Sequence, residues 1–137
     1  MTVIVDRTGF HAPDSVTYLP HDPVPAGTGL AIELPNDADA DSLAPYLDAI
    51  ARVRIPFPKF GDGRGFSLAR QLREMGYRGH LRASGYLISD QFRHAVQSGF
   101  DDVEIPSEIA ARQPEAQWTF ADPPSYRRKL AGDPVTA

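Results

Sequence analysis

Apolar residues in the middle of the chain alternate with polar ones in four short runs, and between those runs they recur at helical spacing. Leu30-Ala-Ile-Glu-Leu34 predicts a strand, with Pro35 to Asp41 as the turn that follows. Leu43, Leu47, Ile50 and Ala51 fall on one side of a helix behind a capping Asp41 or Ser42, with Pro45 tolerated because it lies in the first turn. A helix of about ten residues is expected there. Val53-Arg-Ile-Pro-Phe57 is the next strand. A second helix carries Leu68, Ala69, Leu72 and Met75 and stops at Gly76; Leu81-Arg-Ala-Ser-Gly85 is the third strand. A third helix, capped by Ser89, carries Phe92, Ala95 and Val96 and stops at Gly99, and Val103-Glu-Ile105 is the fourth strand. Gly76-Tyr77 and Gly99-Phe100 are similar junctions, so the pattern is a weak repeat, shorter than the unit of about 30 residues in a full eight-fold barrel.

Strands that alternate with helices predict a parallel α/β sheet. Ile32 and Leu34, Val53, Ile55 and Phe57, Leu81 and Ala83, Val103 and Ile105 share one parity, while Glu33, Arg54, Arg82, Ser84 and Glu104 share the other. One face is therefore apolar and one polar, unlike a strand buried on both sides. Right-handed crossovers would put all three helices on the apolar face. The expected architecture is a four-stranded, mainly parallel sheet with helices on one face, resembling a partial, open β/α barrel. A flavodoxin-like three-layer sandwich is the alternative. Glu33, Arg54, Arg82 and Glu104 should gather on the polar face, either as a compensating network covered by the termini or a second subunit, or as a ligand site. Open sheet edges need covering by the terminal segments or a partner, which makes a homodimer one expectation.

Residues 1–28 are irregular in pattern, with runs at Val3–Val5 and Val16–Leu19 suited to edge strands. Residues 29–106 form the β/α core. Residues 107–137 read as a short helix, Ser107–Arg112, and an extended tail with Trp118, Phe120 and Pro123-Pro124; the basic cluster Tyr126 to Leu130 is assigned no role.

The chain has 137 residues, which suits a single domain over residues 1–137. A net charge of -4 argues against a nucleic-acid surface, and the 13 prolines and 11 glycines require many turns. There is no cysteine, which excludes disulfides, thiolate zinc sites, cysteine-held iron–sulfur clusters and thiol redox chemistry carried by these residues. No apolar run approaches a membrane span, and the start MTVIVDRTGFHAPD lacks the features of a signal peptide, so a cytoplasmic location is the expectation. His11, His21, His80 and His94 show no helical metal-site spacing, and no metal is expected.

Chemistry is concentrated in Phe57-Pro-Lys-Phe-Gly-Asp-Gly-Arg-Gly-Phe-Ser67. Gly61, Gly63 and Gly65 lie between a strand and a helix, where backbone amides can approach an anion. Lys59, Asp62, Gly63, Arg64, Gly65 and Ser67 are the local candidates, and Arg82, Ser84 and Asp90 can join them where the strands' C-terminal ends meet the polar face. Arginines would hold an oxyanion there, with Asp62 or Asp90 as base or orienter. In the competing reading, the glycines shape a tight turn and Asp62 and Arg64 lock it.

The run Phe57 to Arg73, followed by Gly76-Tyr77, Leu81 to Gly85, Ser89-Asp-Gln91 and Ser98-Gly-Phe100, closely resembles a bacterial family of unknown function over roughly residues 28–106. Members of that family carry an oxidoreductase label tied to assimilatory sulfite reduction, and their genes often lie beside those of the reductase. The resemblance implies a part in making sulfide for cysteine. It brings no catalytic residues, and Tyr86 stands where the family more usually carries an acid. The label conflicts with the residues: with no cysteine, no flavin or nicotinamide loop and no haem-attachment motif, no cofactor is expected on this chain. Two functions follow as expectations. The first is an accessory protein that binds sulfite reductase or its electron donor without its own redox cofactor. The second is a small anion-binding enzyme or module with its site at the C-terminal ends of the parallel strands.

Overall fold

Residues 1–59 and 62–118 are described by the computed structural model. Among them the strands are β1 (Thr2–Asp6), β2 (Gly9–His11), β3 (Leu19–Pro20), β4 (Leu30–Glu33), β5 (Ile50–Phe57), β6 (His80–Gly85) and β7 (Asp102–Pro106). They make one sheet in the order β2-β1-β7-β6-β5-β4-β3. The neighbours from β3 through β7 pair in parallel, whereas β1 runs antiparallel to both β7 and β2.

The sheet is thus mostly parallel and larger than the four strands expected. Val3 to Val5 belong to an interior strand rather than an edge: Ile4 and Val5 are both buried, and β1 has a neighbour on each side. Val16 to Tyr18 lie outside any strand, and β3 is a two-residue edge whose Pro20 has no amide to offer a further neighbour. No closed barrel forms among the described residues.

Among the described residues the α-helices are α1 (Arg64–Glu74), α2 (Ser89–Ser98) and α3 (Ser107–Arg112). The first expected helix is instead a 3-10 helix, Ala40–Ala49, capped by the Asp39 carboxylate, which accepts from the Asp41 amide at 3.0 Å. Pro45 lies inside it, where its ring would clash with an α-helical carbonyl one turn back. Ile50 and Ala51, which have helical spacing in sequence, open β5. Gly76 and Gly99 end α1 and the α2 helix as expected, with φ of +99° and +114°. Ser89 does not cap α2; Ile88 holds that position, and the Gln91 side chain accepts from its amide at 3.1 Å.

The apolar parity of the strands forms one cluster with Leu43, with Phe66, Leu68, Ala69 and Leu72 of α1, with Phe92, Ala95 and Val96 of α2, and with Ile109 of α3. The helices therefore share the apolar face, and the flavodoxin-like alternative is not adopted. Trp118 is no part of an extended tail. It ends a 3-10 turn, Glu115–Trp118, with its ring 5.9 Å from Phe92 and 6.4 Å from Phe10, and its Nε1 donates to Gln113 O. Phe60, Gly61, Phe120, Pro123-Pro124 and the cluster Tyr126 to Leu130 lie outside the described residues. Among the described residues, no helix is long and apolar enough to cross a membrane.

Candidate functional site

Parallel pairing sets Glu33, Arg54 and Arg82 side by side, with Arg82 opposite Asp102 on the next strand. Two adjacent arginines repel unless each finds an acid. Arg54 Nε donates to Glu33 Oε1 at 2.6 Å and its Nη1 to Glu104 Oε1 at 3.4 Å. Arg82 takes Asp102 through two bonds, Nε to Oδ1 at 2.9 Å and Nη2 to Oδ2 at 3.1 Å. Its remaining edge meets Asp14 at 3.0 and 3.2 Å. The expected four charges do share a face, but Glu104 stands 4.0 Å from Arg82 and instead accepts from Thr2 at 2.8 Å. His80 Nε2 lies 2.9 Å from Asp102 Oδ2, Arg52 Nη2 donates to Asp14 at 3.5 Å, and the Tyr18 ring lies 4.3 Å from the Arg54 guanidinium carbon.

The Arg82 side chain is 3% exposed, and the network decides its protonation. Burial opposes its charge, yet the bonds to Asp102 and Asp14 outweigh that and raise its pKa. Burial likewise pushes Asp102 up, and His80 and Arg82 more than reverse it, holding the carboxyl below its ordinary value. Asp14 is held down first by its bond to Arg82. The network is a set of fixed charges with no proton poised near neutrality at these three groups.

The glycine-rich turn makes a second, separate site. Asp62 Oδ1 accepts from the Arg64 amide at 3.1 Å and from Arg64 Nε at 3.2 Å; Oδ2 accepts from Arg64 Nη2 at 2.9 Å and from Asn36 Nδ2 at 3.1 Å. These bonds, led by the one from the Arg64 side chain, pull the Asp62 pKa down to about 2, so it is a poor general base. Gly65 is required by packing, because a Cβ there would run into the Phe57 ring. Arg64 and Ser67 line an open depression of about 340 Å³ with Asn36, Asp37, Leu68 and Gln71.

The nine candidates do not converge on one point. Asp62, Gly63, Arg64, Gly65 and Ser67 belong to the turn and the first part of α1, on the helical side of the sheet. Arg82 and the half-buried Ser84 are on the opposite face, Ser84 in register with Pro56 and Glu104. Lys59 is exposed after β5, and Asp90 is exposed in the first turn of α2.

Five members of the polar-face network escape the sequence reasoning: Asp14, Tyr18, Arg52, His80 and Asp102. Arg52, His80 and Asp102 carry the same parity as Arg54, Arg82 and Glu104, so extending each strand by one step of the alternation finds them. Asp14 and Tyr18 sit in an aperiodic segment and have no such signal.

Together these features define a mixed α/β protein with an open, mostly parallel sheet, helices on its apolar face and a charged opposite face beneath an N-terminal segment. Residues 31–133 match a family model, DUF934, described as a bacterial protein of unknown function, and the chain belongs to that family. Neither the comparison with curated proteins nor that with solved structures found a match.

Proposed function

We propose that this chain is an accessory protein of assimilatory sulfite reduction that acts by binding sulfite reductase or its electron donor, with no redox cofactor of its own. The pathway comes from the sequence resemblance. Binding, rather than chemistry, is favoured by one observation: Asp62, the acid that sequence places in the glycine-rich turn as a base, spends both its oxygens on Arg64 and Asn36. A general base or an oxyanion clamp needs free lone pairs or donors facing a substrate. Co-sedimentation of the full chain with the sulfite reductase and the electron donor of its own organism tests this. A complex at micromolar concentration is expected, and its absence with both partners overturns the proposal.

The anion-binding alternative has one observation in its favour. The Arg64 side chain is 61% exposed and borders the depression with Ser67. It predicts a thermal shift with sulfite, sulfate or phosphate that Arg64→Ala removes; no shift, or one that survives the substitution, refutes it.

A further inference from the structure

Residues 12–18 run across the polar face without forming a strand or helix, and Ala12 to Ser15 are exposed. No backbone–backbone hydrogen bond ties this segment to the sheet among the described residues. Two side chains hold it down instead, Asp14 on Arg82 and Arg52 and Tyr18 on Arg54. The segment is a strap on two fastenings.

The group beneath Asp14 has the organisation of an anion receptor. Asp102 grips one edge of the Arg82 guanidinium through Nε and Nη2 and is itself steadied by His80, which fixes the plane of the cation. The other edge, Nη1 and Nη2, points at Asp14, whose two oxygens take it side by side at 3.2 and 3.0 Å. Arg52 approaches the same carboxylate from β5. One carboxylate does not exhaust these donors: Arg52 Nε is buried with no hydrogen-bond partner among the described residues. An anion with three or four oxygens has acceptors for more of these donors than Asp14 does.

We propose that Arg82 and Arg52 form a binding site for a small sulfate-like oxyanion, that Asp14 occupies it as an internal stand-in, and that the anion displaces the strap. The site is distinct from the glycine-rich turn and stands or falls independently of any complex with sulfite reductase. Removing Asp14 should open it. In Asp14→Ala, sulfate and sulfite are expected to raise the thermal midpoint saturably, beyond sodium chloride at equal ionic strength. Arg52→Gln in that background should weaken the effect about tenfold, the loss of one hydrogen bond to a charged group. In the wild-type chain, saturating sulfate should speed chymotrypsin cleavage after Tyr18, because that side chain leaves Arg54 when the strap lifts. Three results overturn the proposal: no saturable effect in Asp14→Ala, an effect indifferent to Arg52→Gln, or cleavage after Tyr18 unchanged at saturating sulfate. If Asp14→Ala does not fold, the same titration on Asp14→Asn decides it.

Discussion

Replacing Asp102 with Asn keeps the shape of the side chain and one acceptor oxygen but removes the charge that Arg82 faces most closely. The Arg82 and Asp102 side chains are 3% and 10% exposed, so water cannot substitute for the lost carboxylate. Breaking a buried ion pair from one side costs about 3–5 kcal/mol. Asp14 still contacts the other edge of Arg82, which places the expected loss near about 3 kcal/mol, the lower end of that range. With a urea dependence of about 1–3 kcal/mol/M, the unfolding midpoint should fall by about 1–3 M. Trp118 is the single tryptophan, is 1% exposed and belongs to the opposite face, so its fluorescence follows unfolding without sensing the substitution directly. The double variant Arg82→Met/Asp102→Leu should be more stable than Asp102→Asn, because the cost lies in stranding one charge rather than in losing the pair. A loss below about 1 kcal/mol in Asp102→Asn, the scale of a solvated surface pair, refutes the reasoning. So does a double variant no more stable than the single one.

Acid should destabilise the protein. Asp14, Asp62 and Asp102 all have folded pKa values below their ordinary 3.8, so the stability they add is full above the unfolded value and is lost as pH falls through the folded ones, Asp62 near 2. Urea midpoints measured from about pH 5 down to about pH 2 should fall steadily, less steeply in Asp102→Asn, and a midpoint that rises with acid contradicts this. Gly65→Ala drives a methyl into the Phe57 ring, which packs against Phe66 and Phe100 at centroid distances of 4.9 and 5.9 Å. It should cost about 1–3 kcal/mol in urea unfolding followed by circular dichroism, and a neutral result means the ring can yield. Trp118→Ala empties a site between Phe10 and Phe92 and removes the bond to Gln113 O. A loss of about 3–5 kcal/mol in the same assay is expected, and less than about 1 kcal/mol would place Trp118 outside the cooperative core.

What the sequence reveals here tracks the range of the forces involved. Ile32, Val53, Leu81 and Val103 are all fully buried, because strand parity is a local property that the core then rewards. Gly76 and Gly99 are legible for the same reason, since a left-handed stop follows from one residue's freedom. Ile50 and Ala51 mislead because they suit both a helix and a strand; Pro45, a few residues earlier, tips the preceding turn to 3-10 geometry and frees them for β5. β1 is illegible as an interior strand because its place beside β7 joins residues about a hundred positions apart, as Thr2 and Glu104 show.

The two charged sites differ in the same respect, and that difference separates their roles. Asp62 and Arg64 are two residues apart, so their pair closes a small loop at little entropic cost and belongs to the turn itself. Such a pair shapes the entrance to α1 and is indifferent to events elsewhere in the sheet. Asp14 and Arg82 are 68 residues apart, and their contact depends on β6 for Arg82 and on Asp102 of the neighbouring β7, which fixes the guanidinium that Asp14 meets. Since the strap has no ladder of its own, the free energy holding it is concentrated in the contacts of Asp14 and Tyr18. A competitor for either fastening therefore acts on the position of the whole segment. No comparable leverage exists at Asp62, where losing the pair disturbs only the turn that contains it.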